Sequence, residues 1–231
     1  MSHLRTVNRI FGLRSMRLVR RLKCVSGISL VQNFMSLVVQ NTEYWKSFEK
    51  YHQIPEDDCG EVVFAGRSNA GKSSAINVIT NQKKLAHTSK LPGRTRLLNF
   101  FKVADDRFIV DLPGYGYAKV PEQMRNAWAR ELTTYLSSRH QIRGLFAVMD
   151  IRHAPTALDE QLVEWFAVTG KPIHVLLTKS DKLKRTQVQN QLRVVSDILL
   201  RHYSQVTVQV FSSLNRTGLD EARSRLVSWL T

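Results

Sequence analysis

From Glu61 onward the chain alternates short apolar runs with longer amphipathic ones. The short runs are EVVFA (61–65), LLNFFKV (97–103), RFIVD (107–111), GLFAVMD (144–150), IHVLLT (173–178) and VTVQVF (206–211). Rich in β-branched and aromatic residues, they predict six strands. Helical periodicity follows from Lys72 to Asn81, Pro121 to Arg139, Thr156 to Val168, Thr186 to His202 and Thr217 to Leu230. Pro121 and Glu122 make a good helix start, and Asp220 and Glu221 put acidic side chains in the first turns of the last helix. Strands alternating with helices predict a three-layer α/β/α fold with a mostly parallel six-stranded sheet, covered on both faces, whose ligands sit at the carboxyl ends of the strands.

Before Glu61 the pattern changes. Residues 1 to 41 form a basic extension, and residues 42 to 231 read as one globular domain without a linker or an internal repeat. Three readings of the extension stay open. Arg-rich and acid-free, it has the composition of an organellar transit peptide; its apolar stretch superficially resembles a signal sequence, though Ser, Gln and Asn interrupt it and it is too short to span a bilayer. In the third reading, translation begins at Met35 and the upstream residues are disordered or non-native, because sequence with mixed charge and the aromatics Tyr44, Trp45, Phe48 and Tyr51 begins only after it.

Charge narrows the partners. The 231 residues carry 34 Lys and Arg against 19 Asp and Glu, a net charge of +15. About half of that excess lies in the extension, and the remainder still points to a polyanion such as rRNA, with a plainly solvated basic face as the alternative. Cys24 and Cys59 lack metal-ligand spacing, which argues against a disulfide scaffold or a zinc site and fits a reducing cytosol.

The chemistry begins right after the first strand. GRSNAGKSS, Gly66 to Ser74, fits the G-x-x-x-x-G-K-[ST] spacing of a phosphate-binding loop. Backbone N–H groups there converge at a helix N-terminus, Lys72 reaches the β/γ oxygens, and Ser73 offers its hydroxyl to magnesium. Later strand ends add to this. Asp111 in VDLPGYG begins a D-x-x-G arrangement whose carboxylate suits magnesium through a water, and whose Gly114 N–H can sense a γ-phosphate. In LLTKSD, Asp181 can accept from both N–H donors on the guanine edge, which adenine lacks, while the Lys179 stem lies over the base. Ser212 and Ser213 of FSSL can place N–H groups near guanine O6, and Thr95 of SKLPGRTRLLNFF is the candidate switch threonine in the magnesium shell.

The series GRSNAGKSS, KLPGRTRLLNFF, DLPGYGYAKVP, MDIRHAPTALD, LLTKSDKL and FSSL resembles the EngB (YihA/YsxC) family of bacterial GTPases, of the Era-like TRAFAC class. The resemblance covers about residues 42 to 231. It implies a P-loop GTPase fold with six strands, one of them antiparallel, and a role in assembly of the large ribosomal subunit, with an older link to cell division and septation. GTP contacts carried over by motif fall on Gly66, Arg67, Ser68, Asn69, Ala70, Gly71, Lys72 and Ser73. They continue on Gly93, Arg94, Thr95, Arg96 and Leu97, then on Asp111, Leu112, Pro113 and Gly114. The guanine side takes Thr178, Lys179, Ser180, Asp181, Phe211, Ser212 and Ser213. Lys72, Thr95 and Gly114 would serve hydrolysis, and Ser73, Thr95 and Asp111 would hold magnesium.

Two departures from the commonest GTPase pattern bear on rate and affinity. Thr178 stands where Asn is usual, which predicts a weaker base or loop-tethering contact. Tyr115 follows Gly114 where Ras-like proteins place a water-orienting Gln, which predicts slow hydrolysis. Asn69 has two readings, a ligand for a potassium ion that assists hydrolysis or a tie within the loop. The cluster Asp150, Arg152, His153 and Asp159 reads as loop structure or partner contact rather than as catalysis. The expectation is a cytoplasmic, monomeric switch, organellar if the extension is a transit peptide, that binds precursor large subunit but neither DNA nor membrane. A GTP-stabilised scaffold with little turnover is the alternative.

Overall fold

The computed structural model describes residues 38–86, 97–116 and 122–231, of which 122–129 by their backbone alone. The strands are β1 (Glu43–Phe48), β2 (Gly60–Gly66), β3 (Leu98–Ala104), β4 (Arg107–Asp111), β5 (Ile142–Asp150), β6 (Ile173–Thr178) and β7 (Val206–Val210). The helices are α1 (Lys72–Ile79), α2 (Glu122–Ser138), α3 (Ala157–Ala167), α4 (Arg185–Leu200) and α5 (Leu219–Leu230). Each expected strand and helix is present within a few residues of its predicted bounds.

The sheet has seven strands rather than six, in the order β1-β3-β4-β2-β5-β6-β7. The strand missed in the sequence is β1, EYWKSF, which pairs antiparallel with β3 at the sheet edge. Its alternation was hidden because only Phe48 is buried. Trp45 instead packs at the rim against Phe48, Phe100 and Phe108, and Lys46 lies over the Phe48 ring. Antiparallel to both β1 and β4, β3 is the one strand that opposes the rest, as the resemblance implied.

Two apolar layers sandwich the sheet, because successive side chains on a strand point to opposite faces. On β5, Leu145, Ala147 and Met149 face α2, α3 and α4, while Phe146 and Val148 face α1 and α5. Phe64 and Phe146 stack with centroids 4.5 Å apart on the second face. Truncating either to Ala typically costs about 3–5 kcal/mol.

Buried polar groups in this sheet are partnered. At the start of β2, Glu61 takes Arg139 Nη2 at 2.6 Å and Arg139 Nε at 2.9 Å, and the Tyr135 hydroxyl donates to its other oxygen at 2.7 Å. Arg139 also donates to the Pro55 carbonyl, so the loop before β2 and the end of α2 meet on one carboxylate. Beside it, burial and then the Glu61 charge push the Cys59 thiol up to about 12. On β6, His174 Nε2 lies 2.6 Å from Gln209 Oε1, and its Nδ1 lies 2.6 Å from the Thr207 hydroxyl. Burial brings this imidazole down to about 4, against the opposing Gln209 hydrogen bond.

Candidate nucleotide site

Between β2 and α1 the chain turns through Arg67 to Gly71. Asn69 has φ 64° and Gly71 has φ 96° and ψ 15°, a left-handed pair that folds the loop back over the helix start. Gly71 is favoured there because a Cβ is strained at positive φ. The first N–H groups of α1 have no partner within the helix and point into the hollow of the loop, which suits an anion.

The D-x-x-G turn is laced against this loop. Parallel pairing sets Asp111 beside Phe64, and beyond it Tyr115 N donates to the Gly66 carbonyl at 3.3 Å while Ser68 N donates to the Tyr115 carbonyl at 2.9 Å. A Cβ on Gly114 would lie 3.1 Å from Ser68 N, so a side chain there would crowd the backbone of the loop. Lys72 Nζ forms a buried ion pair with Asp111 Oδ1. Burial raises the Asp111 carboxyl, and Lys72 opposes the rise. Ser73 follows Lys72 in the first turn of α1, half-buried. A serine hydroxyl and a carboxylate are hard oxygen donors, so the set fits magnesium, which needs few protein ligands. Among the described residues, no three His, Cys, Asp or Glu side chains gather into a metal cluster of another kind.

The base side is assembled from β6 and β7. Phe211 N donates to the Leu177 carbonyl at 2.8 Å and Ser180 N to the Phe211 carbonyl at 3.3 Å, which brings the TKSD loop against FSSL. The Ser212 hydroxyl donates to Asp181 Oδ1 at 2.7 Å. This bond holds the Asp181 carboxyl below its ordinary value and fixes its plane. Half-buried Ser213 follows at the same edge. Lys179 adopts φ 59°, and its Nζ donates to the Asn69 carbonyl at 2.5 Å, joining the base side to the phosphate side.

The structure gives surroundings to three of the residues singled out in the sequence. Thr178 does tether the loop: its hydroxyl donates to the Ala70 carbonyl and lies 3.0 Å from that of Met149. Gly71 packs against this hydroxyl, where a Cβ would lie 3.4 Å from its oxygen. The Asn69 side chain is exposed, and its carbonyl accepts Lys179 Nζ. Tyr115 turns inward, 8% exposed, and its hydroxyl donates to Asp159 at 2.8 Å. Burial, then the Asp159 carboxylate, push this phenol well above its ordinary value, so it stays a protonated donor.

Of the remaining site residues, Gly66, Arg67, Ser68 and Ala70 line the loop, and Leu112 and Pro113 are buried between Asp111 and Gly114. Leu97 is exposed just before β3, while Gly93, Arg94, Thr95 and Arg96 lie outside the described residues. The sequence did not reveal that Asp150 grips Lys179 at 2.9 Å, or that Asp159 receives Tyr115. Burial raises the Asp150 carboxyl, but hydrogen bonds from Arg152 and Lys179 outweigh it and hold the group well below the carboxylate range. Its position at a strand end facing the site was the available signal.

A phosphate loop, a D-x-x-G turn and a guanine-type carboxylate at the carboxyl ends of the strands define a P-loop GTPase. Residues 61–179 match a family model described as "50S ribosome-binding GTPase". A protein of Shigella boydii serotype 4 named "Probable GTP-binding protein EngB" is 48% identical over 196 residues, 85% of this chain and 93% of that protein. One of the same name from Hydrogenovibrio crunogenus is 50% identical over 191 residues, 83% of this chain and 90% of the other. A crystal structure of a "probable GTP-binding protein engB" superposes with TM-score 0.58 at 21% identity, over 74% of this chain and 98% of that one, a likeness of fold. The chain belongs to the EngB family of GTP-binding proteins.

Proposed function

We propose that this GTPase is a slow, nucleotide-dependent switch that acts in assembly of the large ribosomal subunit. The observation that carries the guanine half of the reading is the Asp181 carboxylate, aligned by Ser212 in the same pocket edge as the phosphate loop. Two acceptor oxygens there match the two N–H donors of guanine, an edge adenine does not present. The P-loop N–H groups and Lys72 hold the β and γ oxygens, Ser73 and Asp111 would hold magnesium with Thr95, and the Gly114 N–H meets the γ-phosphate. Bound magnesium supplies neutralisation of charge on the phosphates.

Tyr115 accounts for slow turnover. Its hydroxyl is committed to Asp159, so it does not orient an attacking water. Potassium near Asn69 would supply the missing positive charge in the transition state, and hydrolysis faster in potassium than in sodium salts supports that part.

The ribosomal half rests on the family description and on the net charge of +15. Residues 42–231 act as the GTPase domain in this reading, in the cytoplasm and as a monomer. The link to cell division and septation rests on the family resemblance alone. Co-sedimentation with purified ribosomal subunits tests it: binding to the large subunit with a non-hydrolysable GTP analogue, weak with GDP and retained in moderate salt, is expected. Binding indifferent to subunit and nucleotide, lost in salt, overturns it in favour of generic polyanion attraction.

A further inference from the structure

The stretch from the end of β5 to the first turn of α3 contains two carboxylates that nucleotide chemistry leaves unused, and each enters a different half of the site. Asp150 closes β5 and holds Lys179 Nζ at 2.9 Å. Arg152 grips the same carboxylate, with Nη2 at 2.6 Å and Nε at 2.9 Å, so the acceptor is itself fixed. Lys179 reaches from there to the Asn69 carbonyl. Asp159, in the first turn of α3, accepts the Tyr115 hydroxyl on one oxygen. Its other oxygen caps the helix, taking Thr156 N at 2.9 Å and the Thr156 hydroxyl at 2.7 Å.

Both groups of the second contact are out of water, at 2% for Asp159 and 8% for Tyr115. A buried hydrogen bond of this kind holds one geometry, since breaking it strands a polar atom. Tyr115 is stitched to the phosphate loop by its N–H and its carbonyl, so fixing its ring fixes the neighbouring Gly114. The connection is short and internally bonded, with His153 N and Ala154 N both donating to the Asp150 carbonyl. Ile151 N donates to the Thr178 carbonyl at 3.1 Å, adding a main-chain tie to the base side.

We propose that residues 150–159 form a two-ended brace of the nucleotide site. Asp150 positions Lys179 against the base, and Asp159, through Tyr115, positions the Gly114 N–H that meets the γ-phosphate. The proposal rests on the guanine-nucleotide reading above. It gives the two ends different signatures, because the base is common to GTP and GDP and the γ-phosphate is not.

The test is equilibrium binding of GDP and a non-hydrolysable GTP analogue to the full chain. Asp150→Asn is expected to weaken both nucleotides about tenfold alike, the scale of a lost charge-assisted hydrogen bond. It should add nothing further in a Lys179→Ala background. Arg152→Gln, an exposed change, should give a smaller loss in the same direction. Tyr115→Phe, which removes one oxygen and keeps the ring, should weaken the analogue about fivefold and leave GDP at the parent value. An undiminished Asp150→Asn effect without Lys179, or a Tyr115→Phe effect that is absent or equal for both nucleotides, overturns the brace. A parent chain that fails to prefer GDP over ADP overturns the guanine reading instead.

Discussion

The two ends of β2 each carry a buried ion pair, and they are built for opposite purposes. At the foot, Glu61 and Arg139 have side chains 0% and 3% exposed and are satisfied by further partners, Tyr135 and Pro55. At the head, Lys72 and Asp111 are almost as buried, at 10% and 8%, yet among the described residues the charged partner of each is the other. A charge pair surrounded by additional hydrogen bonds is a fixed joint, while one whose members hold only each other can exchange partners. The foot pins α2 and the loop before β2 onto the sheet. The head keeps a cation and an anion ready beneath the phosphate loop.

The largest expected effect comes from breaking the foot. Arg139→Met strands the Glu61 carboxylate in the core and should lower unfolding free energy by about 3–5 kcal/mol in urea titration. If the loss is below about 1 kcal/mol, the foot is no more of a fixed joint than the head.

His174 belongs to neither end and sharpens the contrast through pH. Its pKa is depressed in the fold to about 4, so the unfolded chain binds the proton more readily below the ordinary value of 6.5. Stability from this group is present above pH 6.5 and lost as pH falls toward 4. The total is about 3 kcal/mol for a shift of that size. Asp111 is raised and works in the opposite direction, losing stability as pH rises. The His174 contribution is therefore read as the difference between the parent and His174→Gln across pH 4 to 7, which should narrow as pH falls.

At the head, Lys72→Met should reduce GTP and GDP affinity about a hundredfold, since charge-assisted bonds to both phosphates are lost. Its unfolding free energy should change by only about 1 kcal/mol, because the raised Asp111 carboxyl can take up a proton. A stability loss matching that of Arg139→Met would erase the distinction. The smallest effect is at Cys59. With its thiol at about 12, alkylation at pH 8 should be negligible in the folded parent. Arg139→Met removes a charge that lowers this pKa, so faster alkylation in the variant reports opening of the foot and not a freer thiolate.

The sequence showed the head far better than the foot. The motif residues Lys72, Asp111 and Asp181 come after apolar strands in the order and spacing of phosphate and guanine motifs, so together they can be read from the sequence. Glu61 and Arg139 are 78 residues apart and belong to no motif, and a lone Glu at a strand start looks like a solvated one. Asp150 and Asp159 were visible as a cluster, but their partners Lys179 and Tyr115 arrive from other strands, and such pairings have no sequence period. The edge strand β1 escaped for a different reason: its aromatics cover a rim instead of filling a core, so apolar alternation was blurred.

That rim strand also bears on how copies of the protein behave at high concentration. Among the described residues β1 ends the sheet, and an outermost strand is a ready template for another chain. Its register slips between Tyr44 and Lys46, and Glu43 and Lys46 place exposed charges along it. A bulged, charged border makes a poor splice for a second sheet. The fold thus carries a guard against sticking edge to edge, and it lies on the far side of β3 and β4 from the strands that hold the guanine loops.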